Sequence, residues 1–536
     1  MKKYKLGELI EVTRGASLNG NYYAASGKYI RLTCGNFDYR NNCFKENTSK
    51  DNLYYTGEFR AEFLLDKGDL ITPLTEQAIG LLGSAAWIPE CEKYIQSQDI
   101  AKITCKEELL DKKFAYYLIS SNMVKQQLGA AAQQTKIRHT SPDKIKDCTV
   151  WLPSLAEQKQ IGQLLFDIDR KIEINRAINL YLSIQPSASC QLACDYCGQE
   201  HKKAKISADN IHLVLNRIRM KLKTHTYKLL EIGWFGGEPL TAWTEMRHIN
   251  RNIKDLTSSE DIRYISHITT NGYALTLHKY ISLKNEFNCK RIEITLDGSK
   301  EFHDIHRFTI NHSGSFDRIF SNLINIINSP DYDKDQCFIS VRCNVDEKNI
   351  EGVIPLLKSL YDHNAQDKIF FYVANVVSWA KNGAGVENTW KKIGEKSTEY
   401  LLYMLDHGFK TEILPEREGP YMCLGTIRDS EMYDAYGNIF DCSETSYSST
   451  YSKGPFALGN LRNQKNLKYN SILKDVPEML MNGKFEKCRV CKFYPLCGGL
   501  CPLALVENEP RCPSFIYNIE DRMLIQMLYN YKGKGK

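Results

Sequence analysis

Ten of the eighteen cysteines in this 536-residue chain fall into two groups with metal-ligand spacing, and no other feature constrains the fold as tightly. The first group, Cys190-x3-Cys194-x2-Cys197, sits on one short loop. The second is Cys423 and Cys442, followed by Cys488, Cys491, Cys497, Cys501 and Cys512. The N-terminus starts basic, with no apolar stretch behind it, so no secretory signal is read. No segment approaches the run of apolar residues that a membrane helix needs, so no membrane partner is expected. These readings place the protein in the reducing cytoplasm, where disulfides are disfavoured and clustered cysteines point to metal. The other eight cysteines (Cys34, Cys43, Cys91, Cys105, Cys148, Cys289, Cys337 and Cys343) are scattered and are expected to be small buried residues. Three thiolates on an iron–sulfur cubane leave one iron open, as a catalytic cluster requires. The competing reading, a zinc loop, would leave the ion one ligand short.

At 43% hydrophobic and 25% charged residues, the composition is that of a globular protein with a sizeable core. The length implies three or four domains. Residues 1–154 read as a mixed α+β domain of short strands and turns. Asp66-Lys67-Gly68-Asp69 is a turn before an apolar strand, and Phe114 to Leu128 has helical spacing. A helical connector follows over 155–180. Ser154 and Glu157 form a capping-box pattern at its start, and Ile161, Leu165, Ile168 and Ile172 make an apolar stripe that needs a partner. Over 181–410 short apolar strands alternate with amphipathic helices: Leu230–Phe235, Tyr264–Thr269, Arg291–Leu296, Ile339–Asn344 and Ile369–Ala374. That alternation predicts an α/β fold with a parallel sheet or barrel. Residues 411–536 are cysteine-dense and predict a small metal-stapled domain.

The middle region resembles the radical S-adenosylmethionine (SAM) superfamily. Tyr196 before Cys197 fits that family's CxxxCxΦC loop. Gly236-Gly237-Glu238-Pro239 matches its GGE motif, and Thr270-Asn271-Gly272 its TNG strand end. Thr295, Asp297 and Gly298, with His303, Asp304 and Arg307, look like its S-x-D-G…HDxxR segment, and Asn344-Val345 like its NV strand end. The resemblance implies a partial (β/α) barrel, with the active site at the C-terminal ends of its strands. It implies a 4Fe-4S cluster on Cys190, Cys194 and Cys197 that cleaves SAM, and a one-electron donor of flavodoxin or ferredoxin type. The GGE segment is expected to bind the SAM amino group.

The second cysteine group resembles the seven-cysteine SPASM domain, which carries two auxiliary 4Fe-4S clusters. By that resemblance Cys488, Cys491, Cys497 and Cys512 hold one cluster, and Cys423, Cys442 and Cys501 hold the other. The latter set lacks a fourth cysteine, the nearest upstream one being Cys343, which leaves either an open iron or a non-cysteine fourth ligand. In sulfatase-maturating members an Asp follows the position of Cys442 and serves as base. Here Ser443 stands there, flanked by Asp441 and Glu444, and the base stays unassigned.

Residues 1–178 resemble one target-recognition half of a type I restriction-modification specificity subunit. The matching segments are Lys5-Leu6-Gly7-Glu8-Leu9, Thr13-Arg14-Gly15, Lys67-Gly68-Asp69-Leu70 and Leu152-Pro153 with Glu157-Gln158 and Ile161. In that family the domain reads DNA. Residues 1–180 here hold 25 Lys+Arg against 22 Asp+Glu, an excess of 3 and not a basic footprint. Arg14, Lys136, Arg138 and Lys144 are the candidate phosphate contacts. The expectation is a radical SAM maturase that modifies a peptide or protein, forming a thioether or carbon–carbon crosslink, with the N-terminal domain recognising protein. The alternative is a restriction or defence protein whose N-terminal domain reads DNA.

Overall fold

The computed structural model describes residues 2–533, except 39–41, 48–50, 77–80, 132–137, 225–226, 378–386, 416–422, 428, 452–454, 464–466, 469–470, 500 and 510. The chain divides into two compact units, Met1–Glu173 and Ile174–Lys536.

The first unit is α+β. A four-stranded sheet places Leu70–Pro73 between Ala86–Trp87 and Ile100–Cys105, with Ile10–Arg14 at its edge. Asp66–Asp69 forms the expected turn: the Asp69 amide donates to the Asp66 carbonyl at 3.0 Å, and Gly68 takes φ 84°. The helical stretch from Phe114 is two helices, Lys112–Ile119 and Asn122–Ala131. The break falls at Ser120 and Ser121, whose hydroxyls bond back to carbonyls of the preceding turn.

The long helix spans Leu155–Ile178, opened by the capping box: the Ser154 amide donates to Glu157 Oε2 at 2.8 Å. Of the apolar stripe, Ile161 faces out and Leu165 is half-buried. Ile161 is 40% exposed, whereas Gln158 and Gly162 are buried. Gln158 accepts from the Asp111 amide and donates to the Leu109 and Pro153 carbonyls, so a polar residue is satisfied there. Gly162 lies so close to the chain at Asp111–Phe114 that any side chain would collide. The side chains of Ile168 and Ile172 lie outside the described residues.

In the second unit six parallel strands lie in sequence order: β1 (Asn179–Ile184), β2 (Leu229–Trp234), β3 (Arg263–Thr270), β4 (Cys289–Thr295), β5 (Phe338–Val345) and β6 (Ile369–Asn375). β1 begins at Asn179, inside the stretch expected to be connector. Helices bridge successive strands, as parallel pairing demands. Trp243–Ser259 buries Met246, Ile249 and Ile253, and Phe316–Ile327 buries Phe316, Ile319, Leu323 and Ile326, each at helical spacing. From Tyr264 onward β3 alternates buried and half-buried residues, with Tyr264, Ser266, Ile268 and Thr270 on the buried side. On the other side of β1 the sheet continues through β7 (Glu431–Tyr433), parallel to β1, then antiparallel β8 (Asn438–Phe440) and β9 (Ala457–Asn460). Among the scattered cysteines, Cys34, Cys148, Cys289, Cys337 and Cys343 are buried and Cys43 and Cys105 half-buried; Cys91 is exposed, against expectation. Among the described residues no helix is long and apolar enough to cross a membrane.

Candidate active site

All six parallel strands end at one cavity of about 280 Å³. The loop after β1 contributes Cys190, Cys194, Tyr196, Cys197 and His201; β2 leads into Phe235–Glu238; β3 ends at Thr269–Asn271. Glu293 and Thr295 come from β4, Arg342 and Asn344 from β5, and Asn375 from β6. A parallel sheet gathers loops from distant sequence positions at one end, which is how residues nearly 200 apart meet.

The three cysteine sulfurs are partly buried and close enough to act on one another. Burial pushes the Cys190 thiol up to about 12, with Glu238, Cys194 and Cys197 adding to it. Cys194 is likewise raised to about 12 by burial, against the pull of Arg307. Each sulfur faces a donor or a positive charge. Cys190 receives the Leu192 amide at 3.4 Å and the Asn271 side-chain amide at 3.5 Å, and Cys197 lies 3.6 Å from His201 Nε2. Converging thiols that burial disfavours as anions, ringed by donors, suit a cationic iron cluster that keeps them as thiolates. Among the described residues no three His, Cys, Asp or Glu side chains are drawn together tightly enough for a single metal ion.

The glycines of the second loop serve close approach. A Cβ on Gly236 would sit 2.7 Å from the Ser187 carbonyl oxygen, and one on Gly237 2.7 Å from that of Ser189. The Gly237 and Glu238 amides donate to those same two carbonyls, tying this loop to the cysteine loop. The Glu238 carboxylate faces inward. It accepts from the Leu240 amide, the Thr270 hydroxyl and the Asn271 amide, at 2.9, 2.7 and 2.7 Å. Its role in this structure is to latch the end of β3. Pro239 does not line the cavity; it begins a 3-10 turn, Pro239–Ala242.

Asp297 is also behind the wall rather than on it. It is fully buried, accepts from the Asn344 amide at 2.8 Å and from the Tyr196 hydroxyl at 2.5 Å. Tyr196 in turn accepts from Arg307 at 2.7 Å and from the Asn344 side chain at 3.1 Å. Burial works against the Arg307 charge, but Cys194, Tyr196 and Asp297 around it hold the guanidinium well above its ordinary value. The network fixes the aromatic side chain of the cysteine loop against the ends of β4 and β5. His306 adds a second tie, 2.8 Å from Asp195 and 3.1 Å from Asp346.

Opposite these motifs lie residues that the motif reading missed. Glu293 accepts from the Tyr372 hydroxyl at 2.7 Å and sits 3.9 Å from Arg342. Glu444, not Ser443, lines the cavity. Burial raises its carboxyl, with Arg342, Ser443 and Arg511 opposing. Glu293 is brought there only by sheet topology, whereas Glu444 already stood beside Ser443 in the sequence.

The second cysteine group gathers in two sets. The Cys442 thiol is pushed far up by burial and by Cys423, Glu444 and Cys501 beside it. Cys488 is raised by burial and by Cys497, Cys512 and Cys491. In the first unit, Arg14 donates to the Gln98 carbonyl, Arg138 pairs with Glu76 at 3.6 Å, and Lys144 lies on the short helix Pro142–Lys146. Lys136 lies outside the described residues.

Residues 184–329 match the family model of the radical SAM superfamily, and residues 1–182 match that of the type I restriction modification DNA specificity domain. Each match covers less than half of the chain. Two curated relatives are each 28% identical. The specificity subunit of the type I restriction enzyme MjaVIII of Methanocaldococcus jannaschii aligns over 188 residues, 33% of this chain and 44% of that protein. The cysteine-type anaerobic sulfatase-maturating enzyme of Clostridium novyi aligns over 158 residues, 28% of this chain and 41% of that protein. The chain therefore spans less than half the length of each. Among solved structures, native anSMEcpe with bound AdoMet has a TM-score of 0.49 at 16% identity, covering 67% of this chain and all of that one. Streptococcus suis SuiB bound to precursor peptide SuiA scores 0.42 at 16% identity, covering 76% of this chain and 92% of that one.

Proposed function

We propose that the chain is a radical SAM enzyme that modifies a peptide or protein. The observation that carries this reading is the meeting of Cys190, Cys194 and Cys197 with all six strand ends at one cavity. These cysteines hold a 4Fe-4S cluster with one iron open. When bound, cluster and SAM together supply a 5′-deoxyadenosyl radical that takes a hydrogen atom from an unactivated carbon. The chain's own part is to shape and shield the site. Gly236 and Gly237 let the loop backbone approach SAM, Thr270 and Asn271 are held in place by Glu238, and Thr295, Arg307 and Asn344 line the floor. Cys488, Cys491, Cys497 and Cys512 hold one auxiliary cluster, and Cys423, Cys442 and Cys501 another, in a SPASM-type domain.

The sulfatase-maturating relative supports a polypeptide substrate. Ser443 in place of an Asp speaks against sulfatase maturation itself and favours crosslinking of a ribosomally made peptide. The test is anaerobic reconstitution with iron and sulfide, reduction, and assay for 5′-deoxyadenosine. The wild-type chain forms it and the Cys190→Ala, Cys194→Ala and Cys197→Ala variants do not; persistence of cleavage in those variants refutes the assignment.

A second reading concerns residues 1–182, where the match to a DNA specificity domain favours a DNA reader. Against it stand the excess of only 3 positive charges over residues 1–180 and the pairing of Arg138 with Glu76. We favour recognition of the protein substrate. Salt-sensitive, sequence-selective DNA binding by the full chain would decide for the DNA reader.

A further inference from the structure

His201 stands four residues beyond the last cysteine of the loop, at a position that the motif reading did not single out. Its Nε2 lies 3.6 Å from Cys197 Sγ, and the side chain lines the cavity. The ring is not on a loose strand of chain. On one side the Glu200 amide donates to the Tyr447 carbonyl at 2.6 Å, and Glu200 Oε1 accepts from the Ser449 amide at 3.1 Å. On the other side the Lys202 amide donates to the Ala188 carbonyl at 3.1 Å, and the Lys202 carbonyl accepts from Ser189 Oγ at 2.9 Å. The chain is thus pinned immediately before and after His201, and the ring is aimed at the sulfur by a built frame.

A thiolate bound to iron carries no proton and can only accept. The ring nitrogen facing Cys197 must then be the one that carries hydrogen. Hydrogen bonds to cluster sulfurs stabilise the more negative, reduced state and so raise the reduction potential. Cys190 already has two such donors, Leu192 and Asn271, placed by its own loop and by β3. His201 gives Cys197 a side-chain donor of the same kind.

We propose that His201 is a positioning residue that donates its Nε2 hydrogen to the Cys197 sulfur and sets the reduction potential of the SAM-binding cluster. The inference rests on the cluster assignment to Cys190, Cys194 and Cys197 made above. It makes His201 a control on how readily the external donor can reduce this centre, separate from any contact with SAM or substrate.

The test is a redox titration of the reconstituted full chain, followed by electron paramagnetic resonance on the reduced-cluster signal that changes when SAM is added. That signal reports this cluster apart from any others. In His201→Phe, which fills the space without a donor, the midpoint shifts to lower potential. In His201→Gln, whose side-chain amide can still donate, it returns toward wild type. An unchanged midpoint in His201→Phe overturns the proposal. So does a loss of about four irons in both variants, since that would make His201 a requirement for assembly rather than a donor. Absence of any SAM-sensitive signal in the wild-type chain would instead refute the cluster assignment, so the two failures are distinguishable.

Discussion

At the scale of single residues, the site depends on backbone approach more than on side-chain reach. Gly237 shows this most directly. An added Cβ meets the Ser189 carbonyl oxygen at 2.7 Å and the Ala188 carbonyl carbon at 3.1 Å, both backbone atoms that cannot swing aside. Gly237→Ala is therefore expected to push the second loop off the cysteine loop. The loss is about 1–3 kcal/mol by the usual scale of overpacking. Anaerobic urea melts and iron content after reconstitution measure it: both fall, and a variant with wild-type midpoint and iron refutes the packing argument. This glycine was legible in the sequence because a Gly-Gly-Glu turn at a strand end has a local pattern. The roles of Glu238 and Asp297 were not. Their carboxylates accept from Thr270, Asn271, Asn344 and Tyr196, partners that no motif names. Which way a side chain faces depends on partners far along the chain, which spacing alone does not encode.

At the scale of elements, the strands were legible to within a residue or two because each is a short apolar run after a helix. The long helix Leu155–Ile178 is legible from its cap, whereas the burial of Gln158 and Gly162 is not legible from its apolar spacing. Burial of Gln158 and Gly162 instead depends on the neighbouring helix Lys112–Ile119, whose N-terminal end approaches the Gly162 backbone. This makes a paired prediction. Glycine to alanine inside a helix ordinarily stabilises by about 1 kcal/mol. Gly129→Ala, in Asn122–Ala131 with open space around its Cβ, is expected to follow that rule. Gly162→Ala is expected to reverse it, because its Cβ falls 2.7 Å from the Phe114 backbone nitrogen. Urea midpoints of the two variants should move in opposite directions; the same sign for both would sink the close-packing account.

A second element-scale prediction concerns β7. Glu431 on that strand receives Arg217 at 3.0 and 2.5 Å and lies 3.0 Å from Lys221, tying the strand to the helix Ala208–Thr224. Burial alone would raise its carboxyl, but Arg217 and Lys221 hold it below its ordinary value near 4.5. A depressed folded value means stability that is present above about 4.5 and lost as pH falls through the folded value. Glu431→Gln should cost about 2 kcal/mol at neutral pH, since it leaves two half-buried cations without their carboxylate. The gap to wild type should narrow as the pH drops below about 4.5. A gap that stays constant with pH would show that shape, not charge, holds the strand.

At the scale of the whole molecule, the metal content ties the two cysteine groups to one account. On the proposed assignment each set takes its own iron. Cys190, Cys194 and Cys197 converge on the cavity. Cys423 and Cys501 act on the Cys442 thiol, and Cys491, Cys497 and Cys512 act on that of Cys488. Three cubanes correspond to about 12 irons per chain. Removing Cys488 and Cys491 together takes out two ligands of one set, so iron should drop by about four while 5′-deoxyadenosine formation continues. Removing Cys190 should drop iron by about four and stop the cleavage altogether. Cys442 is the informative third case. Its set has three cysteines, with Glu444 of the cavity lining beside them. Loss of about four irons in Cys442→Ala with cleavage retained would assign a second auxiliary centre to this set. Wild-type protein that holds only about four irons would leave the second cysteine group without clusters and confine the radical chemistry to the first.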